Sequence, residues 1–169
     1  MLAAMVSIRP AVDADCLAIA GIYTHYVEHT VATFDYDPPS VTAWEHKLAT
    51  VTAAGRPFLV AVDDGVVLGF AYLGGFRDKR AFDWTTEDTI YLRPDAGGRG
   101  LGTALLRALI DEADPDNVQQ IIAVISAEGG EASIALHAKH GFVEVGRTPS
   151  VGYKFDHWID TVYMQRALT

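Results

Sequence analysis

The segment Ile90–Leu106, IYLRPDAGGRGLGTALL, holds the residues whose types and spacing speak most directly of chemistry. An apolar strand pattern runs into the glycines Gly97, Gly98, Gly100 and Gly102 and then straight into a helical pattern. Glycines let a backbone approach a ligand closely, and a helix start offers unbonded N–H groups and the positive end of a dipole. Such a loop suits a phosphate or pyrophosphate. A ligand-free turn is the other reading, and the residues alone leave both open. Two phosphate loops are excluded by spacing. G-x-x-x-x-G-K-S/T needs a lysine after its last glycine, and none stands here. G-x-G-x-x-G fits Gly98 and Gly100 but meets Thr103 where its third glycine belongs, and the loop does not follow the first strand. Just upstream, Glu87 sits in a strand pattern, where glutamate is disfavoured. It is the candidate general base, with an ordinary edge residue as the alternative. Asp88 follows it, and neighbours on a strand point to opposite faces, so the two are not expected to serve one site.

His137 lies in a helical stretch, SIALHAKHGF, and histidine can donate a proton near neutral pH. Its plainer reading is a ring satisfied by backbone or solvent. His140 reads as a residue of the same helix end, favoured by the dipole. Arg77, Lys79 and Arg80 form a basic knot in a chain of 13 Lys and Arg against 22 Asp and Glu, a net charge of -9. That balance argues against nucleic acid or an anionic membrane as a partner, since both need clustered cations. It leaves room for an anionic small ligand in a local pocket of donors. The single cysteine, Cys16, cannot form an internal disulfide and repeats at helical spacing with Ile19 and Tyr23, so it reads as packing. No metal is expected. No secretory signal is visible in MLAAMVSIRP. The uncharged run Gly65–Phe76 is well short of the ~18 residues of a membrane span. A soluble, cytoplasmic protein is the expectation.

The elements that must position these groups follow from periodicity. Val6–Arg9 reads as a first strand, and 14–29 as an amphipathic helix with Asp13 as its N-cap. Ser40 caps a second helix whose apolar face is Val41, Trp44, Leu48 and Val51, ending near Gly55. Phe58–Val62 and Val66–Leu73, separated by Asp63-Asp64-Gly65, predict a hairpin. Arg77–Phe82 is a polar turn and Thr85–Leu92 a strand. A third helix carries Leu101, Ala104, Leu105, Ala108 and Leu109 on one face. Ile121–Ile125 is a short apolar strand, Glu131–His140 a fourth helix with Gly141 just past its end, and Phe142–Val145 and Thr161–Gln165 are final strands. The order is a mixed α/β domain on one sheet, 1–169, and not the strict alternation of a doubly wound nucleotide fold. A length of 169 residues fits one domain of the common size, roughly 100–150 residues.

The glycine loop resembles the acyl-CoA loop of the GNAT superfamily of N-acetyltransferases, Q/R-x-x-G-x-G/A, with Gly100 and Gly102 in its glycine places and Gly97 where Arg or Gln usually stands. Over about Ile8 to Leu168 the chain resembles, more narrowly, the phosphinothricin and methionine sulfoximine or sulfone acetyltransferases. The segments that carry the likeness are IRPAVDAD, IAGIY, TVATFD, RAFDWTTEDTIYL, ASIALHAKHGF and VGYKFDHWIDTVYMQR. The resemblance implies the GNAT fold: a mixed, mainly antiparallel sheet splayed between strands 4 and 5, flanked by about four helices, with acetyl-CoA in the opening. It implies a catalytic Glu87 and His137. For the co-substrate it implies contacts from Ile90, Tyr91, Leu92, Gly97, Gly98, Arg99, Gly100, Leu101, Gly102, Thr103, Ser126, Gly130 and Lys139. Arg93 and Arg99 are candidates to replace the cation missing at Gly97, and Gly130 stands where the family usually carries Asn. For the acceptor it implies Phe34, Arg77, Lys79, Phe82, Glu87 and Tyr153, and it implies a homodimer.

Acyl transfer from a thioester to an amine needs a neutral amine, donors for the oxyanion and a proton for the departing thiolate. The expected activity is therefore acetyl transfer from acetyl-CoA to the α-amine of a small amino-acid-like acceptor, such as phosphinothricin or methionine sulfoximine, directly and without a covalent enzyme intermediate. Two alternatives stay open at this point. One is the same chemistry on a polyamine, aminoglycoside or protein N-terminus. The other is a non-catalytic CoA-binding module, supported by the glycines at 97 and 130.

Overall fold

The computed structural model describes residues 6–168. Among them, seven strands form one sheet: β1 (Ser7–Pro10), β2 (Phe58–Asp63), β3 (Val66–Gly75), β4 (Thr85–Leu92), β5 (Gln120–Ser126), β6 (Val143–Lys154) and β7 (His157–Ala167). Four α-helices accompany it: α1 (Cys16–His29), α2 (Val41–Ala53), α3 (Leu101–Glu112) and α4 (Glu131–Lys139). The strand order is β1-β2-β3-β4-β5-β7-β6. Every neighbouring pair is antiparallel except β4 and β5, which run parallel. The four helices on one mixed sheet agree with the order of elements read from the sequence, and the mainly antiparallel pairing agrees with what the family resemblance implies.

Strand β2 explains the layering. Phe58, Val60 and Val62 pack with α1 and α2 on one face, beside Trp44, Phe70 and Ile19. Leu59 and Ala61 pack on the other face, with Leu105, Leu106 and Leu109 of α3 and with Phe142 and Met164. With helices on both faces, successive side chains are all buried and the strand loses its polar alternation. The β2–β3 turn has Asp64 and Gly65 both at positive φ (47° and 77°), as the two-residue hairpin signal requires. Ser40 caps α2, its hydroxyl accepting from Ala43 N–H at 3.1 Å. Cys16 and Trp44 are core residues, as their spacing predicts.

Two boundaries differ from expectation. Asp13 does not cap α1. A single 3-10 turn, Asp13–Asp15, precedes the helix. There Asp15 accepts from Val12 N–H at 2.8 Å and takes the forked guanidinium of Arg9 at 2.7 and 2.9 Å. The carboxylate two residues later wins because it can satisfy a backbone donor and a cation together, and the pairing holds its pKa below the usual range. The last two strands run far longer than Phe142–Val145 and Thr161–Gln165. They form one hairpin from Val143 to Ala167, with register shifts at Glu144/Gly146 and Thr148/Gly152. Those irregularities, with Ser150 at φ 53°, break the period-2 pattern that would have marked the strands. Among the described residues no helix is long and apolar enough to cross a membrane.

Candidate active site

The site is where β4 loses a neighbour. On one edge β4 pairs with β3 along its length, from Gly75↔Thr86 to Gly69↔Leu92. On the other it pairs with β5 only over Thr85↔Gln120, Thr86↔Ile121 and Glu87↔Ile122. From Asp88 onward the two strands diverge. The cavity there is about 450 Å³, walled by β4 from Glu87 to Leu92, by Val124–Ser126 of β5, by Gly102 of α3 and by one face of α4. A second cavity of about 290 Å³ lies toward α1, lined by Tyr23, Thr33, Phe34, Tyr72, Thr161 and others. Glu87, Thr89, Tyr91, Ala32, Val124 and Ser126 border both. Glu87 thus stands where two compartments meet.

The Glu87 carboxyl is pushed up to about 7. Burial is the main cause, since it penalises the charged form, and the charge of Asp88 adds to it while Lys47 pulls the other way. A carboxylate poised near 7 can take a proton and release it at neutral pH.

Around it, phenols are tied into the frame. Tyr23 Oη donates to Asp35 at 2.6 Å and is 2.6 Å from Thr33 Oγ1. Tyr26 Oη donates to the Leu92 carbonyl at 2.6 Å, fixing the end of β4 to α1. Burial raises the pKa of Tyr23, Tyr26 and Tyr91 above the ordinary phenol value, so none is an anion near neutrality.

The glycine loop has the form of a cradle. Gly98 and Gly100 sit at φ 75° and 74°, and a Cβ built on either would meet no atom within 4 Å. Gly100 is the N-cap of α3, and the helical bonds begin with Ala104 N–H to Gly100 O at 3.0 Å. The N–H groups of Leu101, Gly102 and Thr103 therefore precede the ladder and are available to an anion. With the cleft beside β4 leading to it, this donor set fits the pyrophosphate and pantetheine of an acyl-CoA. The Leu101 side chain packs away from it, with Leu68 and Ala96.

Six of the predicted co-substrate contacts, Ile90, Tyr91, Leu92, Gly102, Ser126 and Gly130, line the larger cavity with Glu87 and His137. Gly97, Gly98, Arg99, Gly100, Leu101 and Thr103 belong to the loop beyond it, and Lys139 is exposed on α4. Arg99 is paired with Asp63 of β2, and Arg93 with Asp95. Neither guanidinium is left without a carboxylate for an incoming phosphate. Gly130 opens α4, and a Cβ there would stand 2.0 Å from the Ser126 carbonyl oxygen. The asparagine of the resembled family does not fit this backbone.

Phe34 lines the smaller cavity. Arg77, Lys79, Phe82 and Tyr153 line neither cavity. Arg77 lies over the rings of Phe76 and Phe82, 5.1 and 5.7 Å from their centroids, on the loop after β3. Tyr153 is on β6, its ring 5.0 Å from that of Trp158.

One expectation is corrected. Asp88 does share the site with Glu87. Alternation sends it to the opposite face of β4, but the divergence of β5 opens that face too, and Asp88 reaches His137 there. Ser133 and Leu136 of α4 also line the cavity without having been singled out. Ser133 lies four residues before His137, and Ala132 four before Leu136, and that i,i+4 spacing is the helical signal that would have found Ser133.

The acetyltransferase (GNAT) family model matches residues 19–142. A phosphinothricin N-acetyltransferase from Alcaligenes faecalis is 44% identical over 162 residues, covering 96% of this chain and 82% of its own. An L-methionine sulfoximine/L-methionine sulfone acetyltransferase from Salmonella typhimurium is 39% identical over 165 residues, covering 96% and 94%. The crystal structure of a GNAT superfamily phosphinothricin acetyltransferase from Sinorhizobium meliloti, in complex with acetyl-CoA, matches with a TM-score of 0.91 at 40% identity, covering 96% of this chain and 88% of that one.

Proposed function

The chain belongs to the GNAT acetyltransferase family, and on that footing we propose that it moves the acetyl group of acetyl-CoA to the α-amine of a small amino-acid-like acceptor of the phosphinothricin, methionine sulfoximine or methionine sulfone kind. The observation that carries the reading is Glu87 at the junction of two cavities. The larger leads to the glycine cradle, and the smaller, at about 290 Å³, suits an amino-acid-sized acceptor against Phe34, Tyr72 and Tyr91.

The roles of the residues follow from their places. The N–H groups at the start of α3 receive the pyrophosphate, and the free edge of β4 at Ile90, Tyr91 and Leu92 runs beside the pantetheine arm. Bound there, acetyl-CoA supplies an activated thioester. Glu87 takes the proton of the acceptor amine, directly or through one water, and its raised pKa lets it pass that proton on to solvent afterwards. Ser126 borders both cavities and is placed to orient groups at their junction. Cys16, buried in the α1 cluster, has no part in the reaction, which supports direct transfer. Arg77 and Lys79 stand just past the end of β3, outside both cavities, and their part in this reading is limited to a positive charge that favours an anionic acceptor at a distance.

The test is release of CoA thiol from acetyl-CoA with a panel of amines: phosphinothricin, methionine sulfoximine, methionine sulfone, a polyamine and an aminoglycoside. Turnover is expected with the first three. Absence of release with all five overturns the reading. Glu87→Gln is expected to lose about 10²–10⁴-fold in kcat, the usual worth of a general base, while still binding CoA. Full activity in that variant removes Glu87 from its role.

The same proposal includes a homodimer, placed in the cytoplasm. Pairing of two copies is supported by the apolar surface of the final hairpin, where Val143, Val145, Val151, Tyr153, Phe155 and Trp158 are all exposed.

A further inference from the structure

The tie between β4 and α4 fixes the protonation of His137. Asp88 Oδ2 lies 2.9 Å from His137 Nε2. On the other side of the ring, Nδ1 lies 2.7 Å from the Ser133 carbonyl oxygen. A carbonyl only accepts, so Nδ1 carries a proton. A neutral imidazole has one N–H, and its second nitrogen is a lone pair. Neutral His137 would then turn that lone pair on a carboxylate, with Asp88 only 8% exposed and His137 4%. The pair must hold one further proton between Nε2 and Oδ2.

The surroundings put that proton on the ring. His137 is in the last turn of α4, where the helix dipole favours a cation. Burial by itself lowers the imidazole pKa, but the hydrogen bond and charge of Asp88 and the bond to Ser133 outweigh it and carry the value above the ordinary one. The other groups about the ring are few. Strand β4 presents Asp88, with Glu87 on its opposite face. Strand β5, QIIAVIS, has no titratable residue. Phe142 meets the ring edge-on at 4.9 Å. In the loop before α4, Glu128 is paired with His157. On α4 itself, Lys139 is exposed and His140 bonds the Leu136 carbonyl.

We propose that Asp88 is a positioning residue for the acetyl transfer: by engaging the Nε2 side of His137 it keeps a proton on the only ring nitrogen not committed to a backbone carbonyl, and so enables His137 to serve the leaving sulfur. The inference rests on the acetyl-transfer reading above. Without Asp88, the Ser133 carbonyl selects the tautomer with a bare Nε2, which has no proton to give. With it, the Asp88–His137 pair, both members of which line the larger cavity, gives the proton held between Nε2 and Oδ2 to the sulfur as the electron pair of the breaking C–S bond goes there. The new N–C bond forms to the acceptor amine, whose proton goes to Glu87. The Asp88–His137 pair, one proton short, is then reloaded from solvent through the cavity, and Glu87 releases its own to solvent.

Asp88→Asn is the decisive variant. Its amide can donate to Nε2, which keeps the β4–α4 tie while holding the ring neutral. Imidazole ¹⁵N spectra of the wild type at about pH 8, above the ordinary histidine value of about 6.5, are expected to show both His137 nitrogens protonated. In Asp88→Asn only Nδ1 is expected to be so. kcat should fall about 10–100-fold, near the low end for acid–base catalysis because a thiol is a fair leaving group, while the KM for acetyl-CoA changes less than about two-fold. A neutral His137 in the wild type overturns the proposal, and so does a variant with wild-type kcat. A variant that does not fold leaves the wild-type spectrum to decide. If the wild type releases no thiol with any acceptor, the acetyl-transfer reading has failed and the catalytic role falls with it, whereas the spectrum still reports the ring's protonation separately.

Discussion

Glu87 and Asp88 are adjacent in sequence and differ in everything their surroundings control. Glu87 sits in a strand at the meeting of two cavities with its carboxyl raised to about 7, mainly by burial. If it is the base, kcat/KM rises with pH through about 7, with a second rise at higher pH from the acceptor's own α-amine, which as a free amino acid titrates above the value of about 8 of a peptide N-terminus. In Glu87→Gln the first rise should vanish and the second persist, which a pH–rate series checks directly. The same shift has a consequence for stability. A carboxyl whose folded pKa is raised favours the protonated form, so its stabilising effect is complete below the ordinary glutamate value of about 4.3 and lost as pH rises through about 7. Melting temperatures of wild type and Glu87→Gln should therefore separate in favour of the variant between about pH 5 and pH 8, the gap growing with pH. The glutamate was recognisable because its residue type is out of place in a strand. Asp88 was not, because alternation alone sends it away from its neighbour, and only the parting of β5 opens the second face to the same site.

Among the elements, the loop 30–36 between α1 and α2 depends on a strand far along the chain. Lys154 of β6 donates from Nζ to the carbonyls of Thr30 at 2.8 Å and Thr33 at 2.9 Å. Tyr36 Oη donates to the Tyr153 carbonyl. The Phe34 ring lies so close to Gly152 that a Cβ there would be 2.4 Å from it. Three successive residues of β6 thus hold the loop that supplies Thr33 and Phe34 to the smaller cavity. Lys154→Met keeps the length and apolar bulk of the side chain but leaves two carbonyls without their donor, at a cost of about 1–3 kcal/mol each if they stay buried. The expected result is a lower melting temperature and a higher KM for the acceptor, with the KM for acetyl-CoA unchanged. Equal changes in both KM values would detach the strap from the acceptor cavity. Glycine loop, hairpin turn and the Ser40 cap of α2 were legible in the sequence because each is a local preference, whereas the start of α1 was set by the pairing of Asp15 with Arg9. The long final hairpin was not, because its bulges break the alternation that identifies strands.

At the scale of the molecule, half of the exposed large apolar side chains among the described residues belong to one hairpin. Strand β6 is the outer strand of the sheet, and the hairpin it forms with β7 exposes Val151, Tyr153, Phe155 and Trp158, the last at 65%. Sheet edges and apolar patches of this kind are covered in stable proteins. If a second copy covers this one, sedimentation at micromolar concentration gives twice the chain mass for the wild type. Trp158→Asp should then shift the mass to that of one chain. A wild type that sediments as a single chain removes the dimer.

The sequence by itself determined the class of fold, the strand–glycine–helix cradle and the candidate for a base, because each is written in spacing over a few residues or in a segment-by-segment likeness to a family. The tertiary structure decided what those groups face. Asp88 and His137 are 49 residues apart, and Lys154 and Thr30 are 124 apart. Such contacts arise from strand order and from where one strand parts from another, and neither is encoded in local periodicity. The same holds for the raised pKa of Glu87. It is a property of the burial around the residue, and that burial exists only once β3, β4 and β5 and the helices over them have come together.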